Sequence, residues 1–186
     1  NKSVLEIGIG TGRVAVKVAP YCMQLTGIDI SSKTIERAKE NLKDYPNIAF
    51  ICDDFCSYKF IETFDVIYSS LTMIHFENKK QVISKVATIL KNGGIFCLSI
   101  DKNRDEYIDM GTRKIKVYPD TLDDITSHVE EANMFVSKIF ETEKAYYLYF
   151  APSKAFIVPY TLFRSNEEFF AFRELLYTNF PGENKS

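Results

Sequence analysis

The chain has 186 residues, of which 46% are apolar and 26% are charged, and its formal net charge at neutral pH is −2. This length and composition are typical of one globular domain with a sizeable core, and they exclude a disordered chain. No run approaches the roughly 18 consecutive apolar residues that a membrane span requires, and the first residues lack the pattern of a signal peptide. A slightly negative chain has no general attraction to phosphate backbones, which disfavours nucleic acid as a partner. We therefore expect a cytoplasmic globular protein without a membrane partner.

The four cysteines, at positions 22, 52, 56 and 97, do not form a recognisable pattern. They are too few and too irregularly spaced for a disulfide framework in a chain that can build a real core. Cys52 and Cys56 have no histidine nearby that could complete a zinc site. We expect reduced thiols and no metal centre.

The first half of the chain alternates short apolar runs with helical patterns. Five runs are predicted to be strands, over residues 4–9, 25–30, 48–52, 64–69 and 95–100. They lack clean alternation of apolar and polar residues, as parallel strands do when both of their faces are buried. Helices are predicted over 32–43 and 78–91, and Asn92-Gly93-Gly94 is predicted to end the second. The pattern predicts an α/β fold with a doubly wound, mostly parallel sheet.

The second half of the chain departs from this alternation. A polar loop over 101–118 leads to a helix predicted to begin at Thr121. Two apolar runs, 135–140 and 145–150, are spaced like an antiparallel hairpin, which would bring the sheet to seven strands. Ser165 and Glu168 form a capping-box pattern for a further helix. We expect one domain over 1–151 and a C-terminal helical extension over 152–186 packed on it.

Three glycines follow the first predicted strand and precede a helix start. At such a junction the backbone turns sharply, and a ligand can approach it closely when side chains are absent. Gly8, Gly10 and Gly12 have the spacing G-x-G-x-G. A dinucleotide fingerprint would need its third glycine at the position of Arg13, so the spacing argues against that motif.

The segment Val4-Leu5-Glu6-Ile7-Gly8-Ile9-Gly10-Thr11-Gly12 resembles the first motif of the class I, Rossmann-like S-adenosylmethionine (AdoMet)-dependent methyltransferases. The resemblance implies that AdoMet is the cofactor, that the glycine backbone faces its methionine part, and that Glu6 helps to hold its ammonium. Asp29, about twenty residues downstream at a strand end, matches the second motif and would accept hydrogen bonds from the ribose hydroxyls, with Ile30 beside it. Alternatively, Asp29 only caps the next helix, a role that Ser31 or Ser32 could take instead.

Later segments extend the resemblance over roughly residues 3–150. Asp54 takes the position that accepts from the adenine amino group, although Asp53 stands where the family has glycine. Phe55 would supply a backbone N–H and a ring contact. After the fourth strand, the carbonyl groups of Ser69 and Ser70 would face the methionine ammonium. The run from Leu90 to Phe96 is similar to the family's Leu-Lys-Pro-Gly-Gly turn, with asparagine in place of proline.

His75 follows the fourth predicted strand, where an acceptor would approach, and it is the candidate general base. Methyl transfer requires mainly positioning and desolvation, so a base is optional, and a structural role for His75 has equal weight. Tyr107, Tyr118 and the basic residues within 113–116 are candidates for an acceptor pocket, and solubility is the alternative explanation for this basic loop.

The motifs favour an enzyme that transfers a methyl group from AdoMet to an O, N or C atom of a small molecule. One alternative is a binding module that keeps the fold without catalysis. Another is a protein or RNA methyltransferase, although Ser69-Ser70-Leu71-Thr72 stands where the amino-methylating nucleic-acid branches have Asn/Asp-Pro-Pro-Tyr/Phe. The family's N-terminal helix or lid is not in this sequence, so either the chain is truncated or the 101–118 loop and the C-terminal helix take that role. The sequence indicates no oligomeric state.

Overall fold

The computed structural model describes residues 2–102, 104–141 and 145–151. The strands are β1 Ser3–Ile7, β2 Gln24–Asp29, β3 Ile48–Cys52, β4 Phe64–Ser69, β5 Leu90–Asp101, β6 Tyr107–Asp109, β7 Lys114–Lys116, β8 Phe135–Glu141 and β9 Ala145–Ala151. The helices are α1 Ala15–Val18, α2 Ser32–Asn41, α3 Lys79–Ile89 and α4 Leu122–Glu131, with short 3-10 helices at Ala19–Tyr21 and Met73–His75.

Seven of the strands form one sheet in the order β3-β2-β1-β4-β5-β9-β8. The pairings from β3 through β5 are parallel, and β9 joins β5 and β8 antiparallel at one edge. This topology confirms the predicted doubly wound α/β fold with its edge hairpin. Because β1 lies between β2 and β4, the strand order reverses at β1, and ligands of open α/β sheets bind outside the carboxyl ends of strands at such a point.

The sheet is buried on both faces. Successive residues of β1 point in opposite directions, so Val4 joins one apolar cluster and Leu5 the other. The same division separates Val66 from Ile67 in β4. Helix α2 contributes Ile35 and Ala38 to the first cluster, whereas α3 and α4 pack against the second. Burial on both faces explains why these strands read as continuous apolar runs in the sequence.

Two element boundaries near glycines differ from the predicted ones. Strand β1 ends at Ile7 rather than Ile9, since Gly8 turns the chain with φ of +74°. Helix α3 ends at Ile89, and β5 begins at once with Leu90, which pairs with Phe64. The Asn92-Gly93-Gly94 segment is therefore an irregularity inside β5 and not a separate turn before it, and the pairing register shifts beside it.

The predicted polar loop contains a small hairpin, β6–β7, which the sequence interpretation missed. Gly111 has φ of +77°, and its N–H donates to Asp109 Oδ1 at 2.7 Å, so both residues shape the turn. By contrast, the start of α4 is as predicted: the Thr121 side chain accepts from the Asp124 N–H in a capping box. The predicted helix near Ser165 and the extension over 152–186 lie outside the described residues. Within the described part of the chain, every helix is too short or too polar to cross a bilayer.

Candidate active site

The glycine loop leaves the end of β1 at the point where the strand order reverses. Gly8, Gly10 and Gly12 all have positive φ, of +74°, +57° and +84°. A Cβ on Gly8 would lie 2.2 Å from the Thr72 side chain, and one on Gly12 would lie 2.5 Å from Leu42. A Cβ on Gly10 would meet nothing within 4 Å. The outer glycines are thus required by packing within the protein as well as by φ, and Gly10 is the one that faces open space.

Asp29, the last residue of β2, connects this loop to the neighbouring strand. Its Oδ2 accepts from the Gly10 N–H at 3.0 Å, and its Oδ1 accepts from the Ser31 N–H at 2.9 Å. Ser31, not Asp29, caps α2, because its side chain accepts from the Thr34 N–H. A carboxylate has about four acceptor positions, so Asp29 can accept further hydrogen bonds while it holds the loop.

The residues that follow β2 and β3 border the same edge of the sheet. Ile30 is 74% exposed, which is unusual for so large an apolar side chain. The Asp53 N–H donates to the Asp29 carbonyl at 3.1 Å and keeps the two strand ends together. Asp54 is exposed, and its Oδ1 accepts from the Cys56 N–H at 2.6 Å. These residues leave an apolar surface and a carboxylate beside each other.

The structure corrects the interpretation of Phe55. Its side chain is 3% exposed and packs against Phe60, with a ring-centroid distance of 5.8 Å, and against Phe76 at 6.5 Å. The ring therefore belongs to the core beneath the loop and does not supply the predicted contact with a ligand. Its backbone alone remains available at this edge.

Glu6 is a buried carboxyl group under the glycine loop. It is 2% exposed, and the Tyr68 hydroxyl on β4 donates to its Oε2 at 2.7 Å. Burial raises the pKa of Glu6 to about 8, the Tyr68 hydrogen bond opposes this rise, and the Asp29 carboxylate adds to it. Glu6 is consequently protonated in large part at neutral pH. A nearby cation, such as an ammonium group, would favour its ionised form.

The chain leaves β4 through a constrained turn that contacts the glycine loop. The Thr72 hydroxyl lies 3.2 Å from the Ser70 carbonyl oxygen and 3.4 Å from that of Gly8. Leu71 has φ of +58°, rare for a residue with a side chain, and its N–H donates to Ser99 Oγ at 2.8 Å. Thr72 and Ser99 were not identified from the sequence, although the close approach at Gly8 required a partner.

A shallow cleft, open to solvent, lies next to this turn. It is lined by Leu71, Met73 and Ile74 of this turn, by Tyr118, Pro119 and Asp120, and by Ser99, Ile100, Asp101 and Ile125. Tyr118 thus lines a cleft, as its candidate role in an acceptor pocket requires. Tyr107 instead lies on β6 and is 52% exposed, and the Lys116 ammonium lies 4.9 Å from the centre of the Tyr118 ring.

His75 ends the 3-10 helix after β4, and its side chain is exposed. Partial burial lowers the pKa of His75 below its ordinary 6.5; the Asp29 carboxylate opposes this shift, and the Lys79 ammonium adds to it. His75 is therefore mostly neutral at pH 7 and able to accept a proton. Its neighbours Met73 and Ile74 line the cleft.

Two lysines of α3 support the loops around the site, and the sequence interpretation missed both. Lys85 donates to the carbonyl groups of Cys56, at 3.0 Å, and Tyr58. Its ammonium also lies 5.2 Å from the centre of the Phe55 ring. Lys79 is 2% exposed and contacts the segment that forms one side of the cleft.

Comparison with known proteins gives two family matches. Residues 4–94 match a model described as a methyltransferase domain, and residues 136–176 match one described as a YcxB-like protein. The second match begins within β8 and crosses the predicted boundary at residue 151. Malonyl-[acyl-carrier protein] O-methyltransferase 1 of Ilyobacter polytropus is 30% identical over 104 residues, or 55% of this chain. The match spans 39% of that relative's length.

Solved structures share the fold at low sequence identity. A putative AdoMet-dependent methyltransferase from Listeria monocytogenes has a TM-score of 0.71 at 16% identity, with 80% of this chain and 90% of that one covered. The N-methyltransferase NodS of Bradyrhizobium japonicum, in complex with S-adenosyl-L-homocysteine, has a TM-score of 0.63 at 20% identity, with 80% and 76% covered. By the matched model, residues 4–94 form a methyltransferase domain, and the fold of the chain is that of the class I, Rossmann-like S-adenosylmethionine-dependent methyltransferases.

Proposed function

We propose that this chain transfers a methyl group from AdoMet to a small-molecule acceptor. The observation that supports the proposal most directly is the hydrogen bond between the glycine loop and Asp29. One carboxylate holds the Gly10 N–H at the strand-order reversal and keeps acceptor positions for a ligand. A nucleoside with two ribose hydroxyls and no pyrophosphate suits an edge that carries the carboxyl groups of Asp29, Asp54 and Glu6.

The described residues fit AdoMet in each of its parts. Asp29 would accept from the ribose hydroxyls, the exposed Ile30 would cover the adenine ring, and Asp54 would accept from the adenine amino group. The Phe55 backbone N–H would complete that contact. Gly8, Gly10 and Gly12 would let the backbone approach the methionine part, whose ammonium would be met by Glu6 and the Ser70 carbonyl.

When bound, AdoMet supplies an electrophilic methyl group on a sulfonium. The protein then has to hold an acceptor in line with that group and exclude water. The cleft beside Leu71 is placed for this task, since its lining turn starts directly after β4 and is fixed to the glycine loop through Thr72. His75, neutral at pH 7, would remove a proton from an acceptor hydroxyl or amine.

The acceptor itself is proposed only as a class. The relative from I. polytropus is named for O-methylation of a malonyl group on a carrier protein, and NodS is named as an N-methyltransferase. The cleft combines apolar walls with the Tyr118 and Ser99 hydroxyls, as pockets for small organic molecules do. These features support a small acceptor group, free or carrier-bound, and they do not select oxygen, nitrogen or carbon.

Titration calorimetry with AdoMet and S-adenosylhomocysteine tests the cofactor assignment. We expect both to bind with Kd values near 1 μM, about −8 kcal/mol. Absence of binding would refute the cofactor. Binding of both, followed by a screen of phenols, amines and carboxylic acids in which no methyl group is transferred, would favour a binding module over an enzyme.

Replacing the candidate base separates chemistry from binding. His75→Asn should lower kcat by about 100-fold with an acceptor that must lose a proton, because general-base catalysis contributes roughly that factor. AdoMet affinity should stay unchanged. Full turnover of His75→Asn with its native acceptor would remove His75 from the mechanism.

A further inference from the structure

Lys79, the first residue of α3, is a buried cation whose partners among the described residues lie in one short segment, residues 118–120. Its Nζ lies 2.7 Å from Asp120 Oδ2 and donates to the Tyr118 carbonyl. The ammonium also lies 5.6 Å from the centre of the Tyr118 ring. A buried charge needs such partners, because it has given up its hydration. Residues 118–120 therefore cannot move away without exposing the ammonium or leaving it unpaired.

The same segment, residues 118–120, forms one wall of the cleft. Tyr118 and Asp120 line it together with Met73 and Ile74, and the Tyr118 N–H donates to the Ile74 carbonyl at 2.8 Å. One backbone hydrogen bond thus connects this wall to the turn after β4, and the ion pair and hydrogen bond of Lys79 connect it to the start of α3. Arg104 also donates to the Asp120 carbonyl from the outer side. These contacts determine how far the wall lies from the turn.

The next lysine of the helix provides a comparison. Lys80 pairs with Glu131 at 2.9 Å, but both side chains are exposed, at 60% and 53%, and neither lines the cleft. An exposed pair of this kind contributes little, since both charges remain hydrated without it. Lys79 differs in burial and in the location of its partners, so its effect should be concentrated at the cleft.

We propose that Lys79 is a positioning residue for the acceptor: it holds residues 118–120 against the 73–75 turn and so sets the width of the acceptor cleft. This inference rests on the proposed function, because it takes the cleft as the acceptor site. Lys79 does not itself touch the acceptor. It acts through the Tyr118 and Asp120 side chains, which do line the cleft.

Amide hydrogen exchange, followed by NMR, tests the attachment of the wall without any ligand. Lys79→Met keeps most of the length of the side chain and removes its charge. The Tyr118 amide should exchange about tenfold faster in this variant, because local opening then breaks fewer contacts, while the Leu5 amide in β1 keeps its wild-type rate. Lys80→Met should leave both rates unchanged. An unchanged Tyr118 rate in Lys79→Met, or equal acceleration at Leu5, would overturn the proposal.

Kinetics with the acceptor found in the screen test the consequence for binding. We expect Lys79→Met to raise the acceptor KM about tenfold, with kcat within about twofold and AdoMet affinity unchanged. If Lys79 had only a structural role, Lys79→Met would lower the fraction of active protein and leave the acceptor KM unchanged. That result would overturn the proposed role in positioning the acceptor. The double variant Lys79→Met/Asp120→Asn leaves no buried charge unpaired, so it should show the same acceptor KM as Lys79→Met. It replaces the single variant in this test if Lys79→Met folds poorly. Failure of the wild type to bind AdoMet would refute the proposed function, whereas the Tyr118 exchange rate would still decide whether Lys79 holds the wall.

Discussion

At the scale of single residues, Asp29 combines a structural role with a proposed binding role, and the sequence alone could not separate the two. Its carboxylate holds the Gly10 and Ser31 N–H groups, and the capping role considered for it belongs to Ser31. The remaining acceptor positions are those proposed for ribose. Loss of the carboxylate should therefore affect the loop and the ligand together.

We expect Asp29→Ala to weaken AdoMet binding by about 1–3 kcal/mol, through lost hydrogen bonds to ribose and a less ordered Gly10. Calorimetry on both proteins measures the difference. Asp44→Ala, an exposed acid in the turn after α2, is the control and should bind normally. An unchanged affinity in Asp29→Ala would show that this residue serves only the loop.

Glu6 makes stability depend on pH in an unusual direction. Its pKa is about 8 in the folded protein and 4.5 ordinarily, so the folded state retains a proton that the unfolded chain has lost between these pH values. The free energy of unfolding should consequently fall as the pH rises from about 4.5 to 8, by roughly 5 kcal/mol at most from this group.

Glu6→Gln should remove this contribution, because glutamine does not titrate and can still accept from the Tyr68 hydroxyl. Urea unfolding at pH 5 and pH 8 measures it: wild type should lose several kcal/mol more than Glu6→Gln over this interval. Glu36→Gln, at an exposed position of α2, should follow wild type. Parallel pH profiles for wild type and Glu6→Gln would contradict the assignment of a protonated Glu6.

At the scale of elements, α3 supports two loops that border the candidate site. Lys79 near its start holds the cleft wall, and Lys85 near its end holds the loop that follows Asp54. The apolar residues Val82 and Val86 of the same helix are fully buried against the sheet. Because the helix is anchored by these residues, its lysines present fixed donors to two loops that have no regular structure of their own.

Lys85→Met should weaken AdoMet binding about fivefold, close to 1 kcal/mol, because the loop carrying Asp54 loses the two hydrogen bonds to its carbonyl groups. Methionine also removes the contacts of the Lys85 ammonium with the Phe55 and Phe60 rings. Affinity is measured by calorimetry, with Lys80→Met as the control. A fully retained affinity would mean that the loop is held by its aromatic residues alone.

At the scale of the whole molecule, the sheet is the rigid base that fixes the distances between strand ends. Leu5 lies at its centre, with no exposed surface, between β2, which ends at Asp29, and β4, which is followed by Ser70. Leu5→Ala should lower the free energy of unfolding by about 2–5 kcal/mol through lost burial and a cavity. Ile61→Ala, at a fully exposed position, should change it by less than about 0.5 kcal/mol. Urea unfolding distinguishes the two, and equal effects would contradict a core centred on β1.

Much of this arrangement could be predicted because it depends on local pattern. Apolar runs located every strand of the main sheet, and the spacing of Gly8, Gly10 and Gly12 indicated the family. The predicted element boundaries were wrong where the effect of a glycine depends on the residues around it. The segment around Gly93 was predicted to end a helix, but it is an irregularity within β5. The β6–β7 hairpin was missed because three-residue strands have almost no periodicity to detect.

The sequence by itself determined the order of strands and helices, the glycine loop and the acid at the end of β2, because each of these depends on residues close together in the chain. Only the tertiary structure decided which partner each buried polar group has. Glu6 and Tyr68 are 62 residues apart, and Lys79 and Tyr118 are 39 apart. Such pairs meet because of the strand order and helix packing, which bring distant residues together without leaving a local pattern in the sequence. The same packing places the Phe55 ring in the core and leaves the Ile30 side chain exposed at the candidate site.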